Sequence, residues 1–381
     1  MNRRTLLKLI ALQAAAFPLS LHASNALLQK RRHLILIELK GGNDGLNTVI
    51  PYQDPLYYKL RPSLAIENRD IHSLSNNIAL HPSMVEFKEM FERDELALIQ
   101  GVGYPNPNRS HFRSIEIWDT ASSAQEYLDD GWLNTLNMPQ SNSLKGVILG
   151  GEYGPLSGLS QGVIKIGSIK RFLQQSKQIK GRISLAGDNK ALYHILHTEA
   201  EIRKGADLLK SSLDKSMELS HRFKKSTFGR QLEAATKLIN SDTGIPFFKV
   251  SLGSFDTHTN QDSRHSSLLK QLSEGIATIR QNLVASGKWD DVLIMTYSEF
   301  GRRASQNANK GTDHGTAAPH FITGGMVKGG IYGNHPSLKN LDRNGDLVHS
   351  IDFRSIYHTI ARKWVGVPSK HLHEFKQIGF L

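Results

Sequence analysis

Five short, continuous apolar runs constrain this chain more than any other feature. They are His33–Leu39 (HLILIEL), Leu96–Val102 (LALIQGV), Gly146–Leu149, Phe247–Leu252 and Val292–Tyr297 (VLIMTY), with His320–Thr323 as a sixth candidate. Such runs leave no face for water, so they suit a parallel sheet covered by helices on both sides. Helical patterns lie between them. Ser83 opens SMVEFKEMFERD as an N-cap, with Glu86 in the capping-box position. His265–Ser286 spaces Leu268, Leu269, Leu272, Ile276, Ile279 and Leu283 at helical intervals. Phe353, Ile356, Tyr357, Ile360 and Trp364 form a final stripe, capped by Asp352 and closed by Gly366 and Pro368. Strands alternating with helices predict a doubly wound α/β fold with a mostly parallel sheet. Residues 190–242 contain no strand candidate, are rich in Lys and Ser, and read as a helical cap or insertion.

The ends and the composition set the surroundings. The chain opens MNRRTLLKLIALQAAAFPLSLHA: paired arginines, a modest apolar stretch and small residues before Ala23. This predicts a signal peptide over 1–23 of twin-arginine type, cut to leave one domain over 24–381. The expected location is the periplasm or outside the cell, with the twin-arginine translocase as the export partner. The apolar run falls short of the roughly 20 residues a spanning helix needs, so no permanent membrane span is expected. The net charge of +12 becomes +9 once Arg3, Arg4 and Lys8 are removed. No Arg-aromatic stripe or nucleic-acid module accompanies it, so the charge reads either as a solvated basic surface or as one that attracts anionic substrates or envelope surfaces. There is no cysteine, which excludes disulfides and thiolate metal sites. A metal would have to be held by Asp, Glu, His and hydroxyl oxygens, a set suited to zinc, manganese, magnesium or calcium.

Ligands of open parallel sheets bind beyond the carboxyl ends of the strands, and reactive residues gather there. The first run leads into Lys40-Gly-Gly-Asn-Asp44, where Asp44 is either a ligand or part of a tight turn. The second leads into Arg109-Ser110-His111 and a helix. Ser110 is either an ordinary N-cap or a nucleophilic hydroxyl placed where helix N–H groups stabilise an anion. FFKVSLG delivers Asp256 and His258, DVLIMTY delivers Glu299 and Arg302, and Asp313 and His314 follow in GTDHGT. Asp and His one residue apart at a strand exit can converge on one ion.

Taken in order, GGNDGLNTVIPY, NRSHF, FDTHTNQ, SEFGR, GTDHGT, VKGGIYG and DFRSIY resemble the bacterial family called domain of unknown function 1501. That family is similar to the alkaline phosphatase and sulfatase superfamily, whose founding members hold two metals beside a hydroxyl or formylglycine nucleophile. The resemblance implies a phosphatase-like fold with one or two divalent ions. It makes Ser110 the nucleophile, Asp256, His258 and His314 the ligands of an outer metal, and Asp44 and Glu299 those of an inner one. Phe300 stands where a ligand histidine is usual. Asp313 has no firm counterpart and is carried with the metal set as a neighbouring acid. His111, Arg109 and Arg302 are candidates for anion stabilisation or leaving-group protonation, with Arg302 alternatively fixing Glu299 from behind. Without cysteine, a formylglycine made from it is excluded. The implied activity is hydrolysis or transfer of a small anionic ester, phosphate or sulfate, or of an envelope-derived one. The alternative is a catalytically silent binding or scaffold protein of the cell envelope that keeps the fold.

Overall fold

The computed structural model describes residues 32–138, 144–159, 162–179, 189–214, 218–369 and 371–381. The expected signal peptide over 1–23 lies outside them. The apolar runs form strands: β1 (His33–Leu39), β2 (Leu96–Gly103), β3 (Gly146–Ile148), β4 (Val163–Lys165), β5 (Phe247–Leu252), β6 (Val292–Tyr297) and β7 (Ala318–Thr323). Two short strands follow, β8 (Gly330–Tyr332) and β9 (Ile351–Asp352). They make one sheet in the order β8-β2-β7-β6-β1-β5-β3-β4, with β9 also pairing β2. A separate three-stranded sheet joins Val49–Ile50, Ala79–Leu80 and His72–Ser73.

The helices of seven or more residues are α1 (Val85–Glu92), α2 (His111–Thr120), α3 (Ile169–Ser176), α4 (Lys190–Leu213), α5 (Thr227–Asn240), α6 (Gln261–Ala285) and α7 (Phe353–Thr359). Alternate residues of β1 enter two different cores. Ile35, Ile37 and Leu39 pack under α1, α5 and α6 with Phe87, Leu232 and Leu272. Leu34 and Leu36 pack under α2 and α7 with Trp118 and Tyr357. Every side chain of β1 is therefore buried, which is why its sequence shows no alternation. Among the described residues, no helix is long and apolar enough to cross a membrane.

Three expectations need correction. The strand expected at His320 runs antiparallel to both β2 and β6. The loop from Ser298 to Ala317 contains no helix, so the chain turns straight back into the sheet rather than crossing over. Ser83 does not cap α1: Met84 holds that position, and the Ser83 hydroxyl instead meets Ser266 at 2.7 Å. Nor does the whole of 190–242 form a cap. α5 buries Phe228, Leu232, Leu238 and Ile239 in the sheet's own core, and the Gln231 side chain accepts from the Ser251 N–H of β5. The final helix continues as a π-helical turn over Ile360–Val365 and ends at Gly366 with φ 81°. Asp352 caps its start by accepting from the Arg354 N–H.

The topology sets the position of the chemistry. β1, β2, β5 and β6 run parallel and open at their carboxyl ends on one edge. Antiparallel β7 begins at that same edge, so the residues just before it join the exits of the other four.

Candidate metal centre

At this edge His111, Asp256 and His314 place ligand atoms within 4.8 Å of one another. His258 completes the group. Its Nε2 lies 3.0 Å from Asp256 Oδ1 and 3.0 Å from His314 Nε2, while His314 Nε2 lies 3.3 Å from the same carboxylate oxygen. His111 Nε2 approaches Asp256 Oδ2 at 3.6 Å. The group is open to solvent, with 45% of the Asp256 side chain and 24% of the His314 side chain exposed.

Each imidazole is oriented through its other nitrogen. His314 Nδ1 meets the Arg109 carbonyl at 2.9 Å, His258 Nδ1 meets Asp313 Oδ1 at 3.1 Å, and His111 Nδ1 meets Glu299 Oε1 at 2.7 Å. A carbonyl or carboxylate oxygen only accepts, so a neutral ring making these contacts carries its proton on Nδ1. For His258 and His314 the Asp256 carboxylate beside Nε2 is a rival acceptor, which a bound cation would displace. All three Nε2 lone pairs then face inward, together with a carboxylate. Two such lone pairs 3.0 Å apart repel unless a cation, a shared proton or a metal ion, lies between them. Four donors at 2.0–2.1 Å from a tetrahedral ion sit about 3.3 Å from each other, close to the 3.0–3.3 Å separations among His258, His314 and Asp256, with His111 farther out at 3.6 Å from Asp256. Imidazoles braced by carboxylate or carbonyl acceptors are the usual setting of a bound metal.

The electrostatics of Asp256 and His314 agree with that geometry, while those of His111 favour the charged ring, from which an ion would have to displace the Nε2 proton. Burial opposes the Asp256 charge, but the Arg302 hydrogen bond at 2.6 Å and its charge overrule it, holding the carboxyl at about 2. Burial lowers the His314 pKa against the pull of the Arg109 carbonyl, favouring the neutral ring. The hydrogen bond to Glu299 raises that of His111. Phe300, which is 3% exposed, packs its ring against His111 and His314 at centroid distances of 4.9 and 4.6 Å. The residue standing in place of a ligand histidine thus fixes two imidazole planes. Gly41 allows the close approach of the β1 and β5 exits. Its φ is +118°, and a Cβ there would lie 2.4 Å from the Asp256 nitrogen.

Several sequence expectations change. Asp44 is not brought to the cluster: it is fully buried and held by Arg61 at 2.6 and 2.9 Å and by the Gln261 amide. Glu299 is likewise engaged by neighbouring groups. It accepts from His111, from the Gly41 N–H at 2.9 Å and from the Ser298 hydroxyl at 3.2 Å. Each of these acids thus has donors of its own, and neither supplies an atom to the His111–Asp256–His314 group. Arg302 does not fix Glu299, nor can it touch a substrate. It is 1% exposed and donates to the Gly42, Thr312, Gly41 and Phe255 carbonyls and to Asp256. Asp313 orients His258 from the far side of the ring and is itself fixed by Asn307 at 3.1 Å. His111, read from sequence as an acid–base candidate, is a member of the donor cluster, and the N-R-S-H run at the β2 exit was the signal for it. Ser110 occupies the N-cap of α2 but makes no side-chain cap bond there, and it is exposed.

A doubly wound α/β sheet with an imidazole–carboxylate cluster at its carboxyl edge defines a protein built around a candidate metal site. The chain belongs to the family described as protein of unknown function DUF1501, whose family model matches residues 160–374. That span includes Asp256, His258, Asp313 and His314. Among the solved structures it is similar to are a sulfatase and a protein in the alkaline phosphatase superfamily. Ps i-CgsB in complex with k-i-k-neocarrahexaose is 12% identical, over 91% of this chain and 74% of that chain, with a TM-score of 0.42. PsFucS1 sulfatase from Pseudoalteromonas sp. is 11% identical over 93% and 72%, with a TM-score of 0.43. A protein in the alkaline phosphatase superfamily from Vibrio parahaemolyticus is 11% identical over 91% and 69%, with a TM-score of 0.39. No curated protein matches the chain. Likeness at this level is one of outline, and the chemistry below rests on the chain's own residues.

Proposed function

We propose that this protein is an exported, metal-dependent hydrolase or transferase of anionic esters, phosphate or sulfate, with Ser110 as nucleophile. The observation that carries the reading is the donor set: His111, His314 and the Asp256 carboxylate lie within 4.8 Å of one another, His258 Nε2 lies 3.0 Å from both Asp256 and His314, and every Nδ1 has an acceptor elsewhere. A set of three nitrogens and a carboxylate suits one zinc or manganese ion rather than magnesium or calcium, which prefer oxygen. Such an ion, when bound, acidifies a nearby hydroxyl and screens the charge of an ester's oxygens.

The chain's own residues supply the rest. Asp313, Glu299 and the Arg109 carbonyl keep the three rings in the binding tautomer, and Arg302 keeps Asp256 ionised. Ser110, uncommitted at the positive end of α2, loses its hydroxyl proton to solvent and attacks the phosphorus or sulfur as the bond to the ester oxygen breaks. That oxygen departs on the opposite side and takes up a proton from solvent. The α2 N–H groups face the charge that develops on the transferred group. Water or an acceptor alcohol then releases that group from Ser110. Export rests on the twin-arginine pattern in residues 1–23.

The first test is metal content by mass spectrometry after equilibration with zinc or manganese. One ion per chain is expected, with occupancy in His314→Ala cut to about a tenth or less. A wild-type protein that takes up neither ion would sink the reading. The second is a panel of phosphomonoesters, phosphodiesters and sulfate esters. Ser110→Ala should lower turnover on the order of a thousandfold with metal content unchanged, and equal turnover removes Ser110 as nucleophile.

A further inference from the structure

A second cleft opens on the same edge of the sheet, one and two strands beyond β5. It has a volume of about 620 Å³ and lies between the exits of β3 and β4 and one face of α5. That size falls in the range of small-molecule sites. Its donors have no acidic acceptor: Arg230 donates to the Thr227 hydroxyl at 3.1 Å, and the other two, the Gln231 amide and Lys170, have no partner among the described residues. Gln231 is 9% exposed and accepts from the Ser251 N–H at 2.8 Å through Oε1, which turns its Nε2 amide away from β5. That amide has no hydrogen-bond partner among the described residues, and Gln231 lines the cleft. The packing leaves no room for a side chain opposite it: a Cβ on Gly150 would lie 2.1 Å from Gln231 Oε1.

Two cations join the amide from different elements, Lys170 in the first turn of α3 and Arg230 on α5. Neither forms an ion pair with a carboxylate among the described residues. Glu233, the acid of the lining, is already held by Lys237 at 2.5 Å. Ser168 caps α3 by accepting from the Arg171 N–H, leaving the N–H groups of Ile169 and Lys170 at the cleft. An amide, a guanidinium, an ammonium and a helix N-terminus are all donors, and the nearby acid is neutralised.

We infer that this cleft binds a tetrahedral oxyanion, phosphate or sulfate, independently of the metal cluster. The three side chains and the α3 N–H groups would each donate to one of its oxygens, and no covalent step is involved.

The test is calorimetry with inorganic phosphate and with sulfate, run separately at constant ionic strength on chelator-treated full chain, so that the metal cluster is silent. At least one anion should bind at one site per chain. Arg230→Gln and Lys170→Gln should each weaken that binding about tenfold, and His314→Ala should leave it unchanged. Both substituted side chains are exposed, so the fold is retained, and thermal melting checks it. The proposal is overturned if neither anion binds, if both Gln variants bind as tightly as wild type, or if His314→Ala abolishes binding. Which anion binds assigns the ligand.

Discussion

Replacing Arg61 by Met tests whether Asp44 is a structural acid or a metal ligand. The Asp44 and Arg61 side chains are both completely buried. The guanidinium donates twice to Asp44, and to the Asn47 side chain and the Ala304 and Arg303 carbonyls at 2.8–2.9 Å. Met removes all of these and leaves the carboxylate with Gln261 as its remaining side-chain donor. Breaking one partner of a buried pair costs about 3–5 kcal/mol. Unfolding entropy of about 2.1 cal/mol/K per residue gives roughly 0.8 kcal/mol/K for this chain, so Tm should fall by about 4–6 °C.

The pH dependence has a definite sign. Burial alone would raise the Asp44 pKa, but the Arg61 charge and hydrogen bonds hold it below the usual 3.8. In wild type this stabilisation is present above the unfolded carboxyl pKa and is lost as pH falls through the lower folded value. In Arg61→Met burial is unopposed by that charge, so the deficit should grow as pH rises from about 4 to 7. Calorimetric melts over that range measure it, and metal content should stay at the wild-type level. A Tm change under about 1 °C would refute the reasoning. So would a second ion in wild type that Asp44→Asn removes.

Two further outcomes test the metal centre. Glu299→Gln weakens the acceptor behind His111 and should cut zinc or manganese affinity about 10- to 100-fold in a chelator competition, with little change in melting. Gly41→Ala forces a Cβ toward the Asp256 backbone at a φ of +118°. It should cost about 1–3 kcal/mol in urea unfolding and lower metal affinity as well.

The sequence made the strands legible because burial on both faces writes itself as an unbroken apolar run. β1, β5 and β6 have the boundaries their runs predict. It also showed that acids and histidines gather where those strands end. It could not show how the acids are partnered. Asp44 and Arg61 are 17 residues apart, Asp256 and Arg302 are 46 apart, and His111 and Glu299 are 188 apart. No periodicity links such pairs; the sheet order alone brings them together. The same limit hid the direction of β7, since an apolar run reads alike from either end and only its helix-free approach turns it back. That reversal has a chemical consequence. A crossover helix before β7 would start the strand at the opposite edge and carry His314 away from Asp256. The antiparallel strand is thus what allows a residue preceding a strand to meet residues that follow others. The donor cluster depends on the one feature of the sheet that its apolar pattern could not specify.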